Sequence, residues 1–166
     1  PGMYMASCDE LHITVIGKGG HAAMPERLVD PVLMATQLVN DLQKINSRFC
    51  PPSIPSVLSI GKIVANGATN IIPNQVHLEG TFRTMNENWR AQAHQHMTNI
   101  SNGITQQFGG KIEFEIRKGY PYLENHPATT ITAKSNVESM LGSENVIELP
   151  IRMTAEDFAH YTHHVP

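Results

Sequence analysis

No run of apolar residues in this chain is long enough to cross a bilayer as a helix, and no stretch has the pattern of a secretory leader. Cysteine is scarce. Cys8 and Cys50 are isolated, without the paired spacing of a metal site, which fits reduced thiols in a cytoplasmic protein. Positive charge is not in excess: 12 Lys and Arg face 15 Asp and Glu, a net charge of −3, so no nucleic-acid surface is expected. An initiating Met is also missing. The chain runs from Pro1 to Pro166 and stops just after a helix-like segment, which reads as a piece of a longer protein. What is present suffices for a core: 166 residues, 40% hydrophobic, allow one domain or one domain plus part of another.

The stretch with most chemical content is Gly17-Lys18-Gly19-Gly20-His21-Ala22-Ala23-Met24-Pro25, between a strand-like run and a helix-like run. Its glycines form a turn that can take backbone angles closed to other residues, and the turn delivers one imidazole followed by two small alanines. A phosphate cradle is the obvious rival, since amides at a helix start bind anions. That motif needs Gly-Lys followed by Ser or Thr at the start of the helix; here Lys18 is followed by Gly19, and Pro25 intervenes before the helix. His21 is therefore the candidate reactive residue.

Around it the periodicity is clear. Leu11, Ile13 and Val15 alternate with His12 and Thr14, the period of a strand with one covered face. Asp30 caps a helix from Pro31, whose apolar face is Ala35, Leu38, Val39, Leu42 and Ile45, and Cys50-Pro51-Pro52-Ser53 ends it. Ser56 to Ala65 is a second strand and Asn66-Gly67 a turn. A third strand places Val76, Leu78, Gly80 and Phe82 on one face and His77, Glu79, Thr81 and Arg83 on the other. Asn86 caps a second helix bearing Trp89, Ala93, Met97, Ile100, Ile104 and Phe108, closed by Gly109-Gly110. Lys111 to Arg117 is the fourth strand.

The expected fold class is α+β: a four-stranded antiparallel sheet with two helices on one face, in βαββαβ order, plus a partial α/β segment. The first and third strands are then central. The second is an edge with only Lys62 to guard it, which suggests a dimer seam. Pro1 to Ser7 reads as an entering linker. Past Gly119-Tyr120-Pro121, a helix starts near His126-Pro127, and a short helix over Ala155–Tyr161 has Thr154 as its cap. His94, His96, His160, His163 and His164 read as scattered surface residues.

Gly17-Lys18-Gly19-Gly20-His21-Ala22-Ala23, Asn70-Ile71-Ile72-Pro73, Gly80-Thr81-Phe82-Arg83-Thr84, Gly119-Tyr120-Pro121 and Met153-Thr154-Ala155-Glu156-Asp157-Phe158 together resemble successive motifs of the M20 metallopeptidase family. The match is to its amidohydrolase branch, the N-acyl-amino-acid, hippurate and auxin-conjugate hydrolases. The resemblance implies a ferredoxin-like lid, or dimerisation domain, at residues 9–118, with residues 1–8 and 119–166 belonging to the flanks of a catalytic domain. It implies a homodimer through the lid and an N-acyl amino acid as substrate. His21 is then the histidine that reaches the partner's active site and stabilises the oxyanion, while Asn70 and Arg83 hold the substrate carboxylate. Two divalent metal ions, zinc or manganese, are implied for the full-length enzyme. None is expected in this fragment, which lacks the family's ligand motifs, so the fragment alone is expected to be inactive. Branch members commonly have His after the proline of the first motif; Glu26 stands there in this chain, which bears on substrate preference.

In this topology the turn after the first strand and the loop after the second share one end of the sheet, and Arg83 lies at the other end. A non-catalytic dimerisation or small-molecule-binding module of the same fold is the alternative. An RNA-recognition role is disfavoured by the outward positions His12, Thr14, His77, Glu79, Glu113 and Glu115, which include three glutamates and no Phe, Tyr or Trp.

Overall fold

The computed structural model describes residues 2–164, the side chain of His163 excepted. Its strands are β1 (Gly2–Met5), β2 (Asp9–Ile16), β3 (Gly20–His21), β4 (Ser56–Val64), β5 (Ile71–Ile72), β6 (Gln75–Thr84), β7 (Lys111–Lys118) and β8 (Leu123–Asn125). Its α-helices are α1 (Pro31–Leu42), α2 (Glu87–Phe108) and α3 (Pro127–Leu141).

Four strands form an antiparallel sheet in the order β4-β6-β2-β7, so the first and third long strands are central, as the βαββαβ order implies. Period-two alternation decides the two faces. Leu11, Ile13 and Val15 of β2, with Val76, Leu78 and Phe82 of β6, pack under Met34, Ala35, Leu38 and Leu42 of α1 and Trp89, Ala93, Met97 and Ile104 of α2. This apolar layer supplies most of the folding drive, at about 25 cal/mol per Å² buried.

Local signals set the helix ends. Asp30 Oδ1 accepts from the amides of Val32 (2.8 Å) and Leu33 (3.2 Å) at the start of α1. Asn86 Oδ1 accepts from Trp89 N at 2.8 Å at the start of α2, and Gly109, in the left-handed region, closes it.

Some expectations need correction. The first helix stops as an α-helix at Leu42 and continues as a π-helical turn over Ile45–Phe49, where Ile45 is still buried. Residues 2–5 are a strand rather than a linker: β1 pairs antiparallel with β8, Gly2 opposite Asn125. The loop after β4 contains β5, which pairs with β3. Near the end, Glu156 caps the 3₁₀ helix Asp157–His163 by accepting from Phe158 N at 3.4 Å; Thr154 instead gives its carbonyl to Ala6 N at 3.0 Å.

Candidate functional site

A two-residue ribbon carries His21. β3 pairs with β5, Gly20 opposite Ile72 and His21 opposite Ile71, and Ala22 N donates to Asn70 O at 2.9 Å. The turn is tied down beside it: Gly17 N donates to Asn74 O (2.9 Å) and Gly19 N to Asn74 Oδ1 (3.0 Å). Glycine is required at position 19, where a Cβ would lie 2.3 Å from Ile72 O. The far side of the turn is pinned by reciprocal backbone bonds between Lys18 and Val29 (2.8 and 3.0 Å). The Gly-rich turn and the Asn70-Ile71-Ile72-Pro73 loop, about fifty residues apart along the chain, are thus one backbone-bonded unit.

His21 stands exposed on this unit. Ala23 N–H donates to His21 Nδ1 at 3.1 Å. In the neutral ring that bond leaves the proton on Nε2, so the free nitrogen is a hydrogen-bond donor. A cavity of about 540 Å³ adjoins the ribbon, lined by Gly19, Gly20, Val64, Ile71, Ile72, Pro73 and His77 among others.

Of the three residues singled out in the sequence, His21 and Asn70 are brought together and Arg83 is not. Arg83 sits opposite Val57 near the far end of the sheet, and its Nη1 donates to Met153 O at 3.4 Å. The open sheet face is internally paired. His12 meets Glu10 (3.1 Å), Lys62 meets Glu79 (2.7 Å), Lys111 meets Glu113 (2.6 Å) and Arg117 meets Glu115 (2.8 Å).

Sequence reasoning missed a buried polar cluster at the root of the sheet. Asp9 accepts hydrogen bonds from Arg90 and from His94 Nε2 (2.7 Å), and both Asp9 and Arg90 are essentially inaccessible. Burial pushes the Asp9 carboxyl up, but the bonds from His94 and Arg90 and their charges outweigh it and hold its pKa at about 2. His94 is therefore a partner of a buried carboxylate, not a scattered surface residue, and His96 stacks on Phe49 with ring centroids 4.4 Å apart. The signal was the parity of Asp9, which shares the inward face of β2 with Leu11, Ile13 and Val15.

Residues 8–108 match the family model of the M20 peptidase dimerisation domain. The chain belongs to the M20 peptidase family. M20 relatives with curated descriptions extend the match over nearly all of it. The N-acetylcysteine deacetylase of Bacillus subtilis is 35% identical over 99% of this chain and 43% of its own length. The N-acyl-L-amino acid amidohydrolase of Geobacillus stearothermophilus is 41% identical over 75% of this chain and 34% of its own length. Among solved structures, the Bacillus subtilis YXEP protein, described as a dinuclear metal binding peptidase from the M20 family, superposes with a TM-score of 0.74 at 29% identity. It is matched over 99% of this chain and 40% of that one. The chain thus spans about two-fifths of the length of these M20 relatives.

That structural neighbour is described as binding a dinuclear metal centre. Among the described residues of this chain, no group of three or more His, Cys, Asp or Glu side chains is placed to hold a metal ion. The described residues do not form such a centre. No helix among the described residues is long and apolar enough to cross a membrane.

Proposed function

We propose that this chain is the dimerisation lid, residues 9–118, and adjoining flanks, residues 1–8 and 119–166, of a metal-dependent hydrolase that cleaves the amide bond of N-acyl amino acids. His21 serves as the oxyanion donor. The observation that carries this reading is the exposed ring on a backbone-bonded ribbon, with Nδ1 occupied by Ala23 N–H so that Nε2 is left to donate. A donor held this way loses little freedom on meeting a developing oxyanion, which is what electrostatic preorganisation requires. The names of the M20 relatives support the substrate class.

The lid presents His21 and Asn70 at one end of the sheet and Arg83 at the other. A substrate touched by all three must therefore lie between two copies of the chain. One copy supplies Arg83, whose planar fork suits a carboxylate, and the other supplies His21. Edge strand β4 is the seam in this reading. Its pairing with β6 shifts register between Ile60 and Lys62, but its outer edge has no partner among the described residues.

His21→Ala in the full-length enzyme tests the role, assayed on an N-acyl amino acid with and without chelator. Turnover is expected to fall by about 100-fold with KM nearly unchanged, the usual result of removing one oxyanion donor. A loss smaller than about tenfold, about 1.4 kcal/mol, removes the role. A full-length protein that stays inactive with metal restored favours the binding-module alternative.

A further inference from the structure

Both connections between residues 9–118 and the rest of the described chain are gripped by one buried ion pair. Asp9 begins β2, and Gly119 directly follows β7. Arg90, projecting from α2, reaches both. Its Nε donates to Asp9 Oδ2 at 3.0 Å and its Nη2 donates to Asp9 Oδ1, Cys8 O (3.2 Å) and Gly119 O (3.1 Å). Its Nη1 is held by both carboxylate oxygens of Glu87 at 3.0 and 3.1 Å. The connections are also bonded to each other: Gly119 N donates to Cys8 O (2.9 Å), Cys8 N to Tyr120 O (3.0 Å), and Gly119 N lies 3.3 Å from Asp9 Oδ1. The approach is close enough that a Cβ at Gly119 would lie 2.5 Å from Cys8 O.

Packing alone does not call for this arrangement. A buried ion pair can often be replaced by apolar residues of similar volume at no loss of stability. The sheet already holds Asp9 opposite Lys118 by its ladder. What an apolar pair cannot do is grip two backbone carbonyls on separate segments and a carboxylate at once. A guanidinium can, because its donors sit in one rigid plane; an ammonium is a single point charge on a flexible stem.

We propose that Arg90 is a positioning residue. It clamps the two connecting segments to α2, so that they turn with the sheet as one body and any pivot lies beyond Cys8 and Gly119. The clamp stands on geometry alone. Its consequence for catalysis, a fixed delivery of His21 to the reacting carbonyl, rests on the function proposed above.

Arg90→Lys keeps the charge and removes the fork. Native-state hydrogen exchange on the intact protein should show the amides of Cys8 and Gly119 exchanging at least about tenfold faster, with Ile13 and Leu78 in the sheet centre unchanged. Uniform acceleration across the sheet, or none at the junction, overturns the clamp. Asp9→Asn, which keeps the side-chain size, provides a second variant with the same local signature should Arg90→Lys fold poorly. For the catalytic consequence, Arg90→Lys should lower kcat with little change in KM, and should add no further loss in a His21→Ala background. Additive losses overturn that consequence while leaving the exchange result to decide the clamp. An unaffected His21→Ala enzyme refutes the His21 role separately, because the exchange experiment needs no turnover.

Discussion

A carboxylate in the apolar register of a strand must find partners, and Asp9 has four donor groups around it from Arg90, His94 and Gly119. Its lowered pKa makes it an acid-sensitive support. A group whose folded value lies below its ordinary 3.8 adds stability that is present above that value and lost as the pH falls towards about 2. The expected loss between about pH 4 and pH 2 is about 2 kcal/mol from this residue. Denaturant midpoints taken across that range should fall steeply in the native protein. In Asp9→Asn the protein starts less stable, because Arg90 is left buried without its counter-charge, and its fall should be shallower by that amount. Equal slopes would show that Asp9 titrates normally. At this scale the sequence shows exposure more readily than partnership: Gly and Ala surround His21, and its ring is exposed. The partner of Asp9 was not legible, since Arg90 lies eighty-one positions away and only the folded sheet brings α2 to it.

At the scale of elements, what could be read was what neighbours in sequence decide. The caps of α1 and α2 depend on residues two or three positions apart, and both were read correctly. Asp30→Ala should remove both amide bonds at the start of α1. Because Pro31 still favours the first turn, the loss should be about 1 kcal/mol, measurable as a lowered denaturant midpoint with unchanged slope. No loss would mean that packing of Met34 and Leu38 alone fixes the helix start. Elements built by distant pairing were invisible. Gly2–Met5 has no alternation of its own and is a strand only because Leu123–Asn125 lies beside it. The β3–β5 ribbon is two residues wide, too short for any period to register, yet it is what joins His21 to the Asn70 loop. The end of α1 departs from the sequence pattern for a related reason: Ile45 keeps the helical spacing of the apolar face, but the backbone has already widened into a π turn.

At the scale of the molecule, the strand order β4-β6-β2-β7 separates the two ends of the sheet. The ribbon with His21 and Asn70 lies at one end, and Arg83, bonded to Met153 O, lies near the other. This order follows from the count of strands and helices, so the separation is already implicit in the sequence. It yields a test that no single-chain property can mimic. In a two-fold dimer whose every active site takes Arg83 from one chain and His21 from the other, His21→Ala and Arg83→Ala each disable both sites. Mixing the two inactive proteins after reversible dissociation creates mixed dimers. One of their sites then lacks both residues, and the other has both intact. With random reassortment about half the dimers are mixed, so activity should return to about a quarter of the native level. If both residues served a site within one chain, every site in the mixture would still lack one of them, and nothing would return. Recovery that depends on the time allowed for subunit exchange would tie the activity to the dimer, because neither variant changes on its own. Failure to recover, with mixed dimers verified by mass, would place His21 and Arg83 in the service of the same chain and remove the role proposed for the partner.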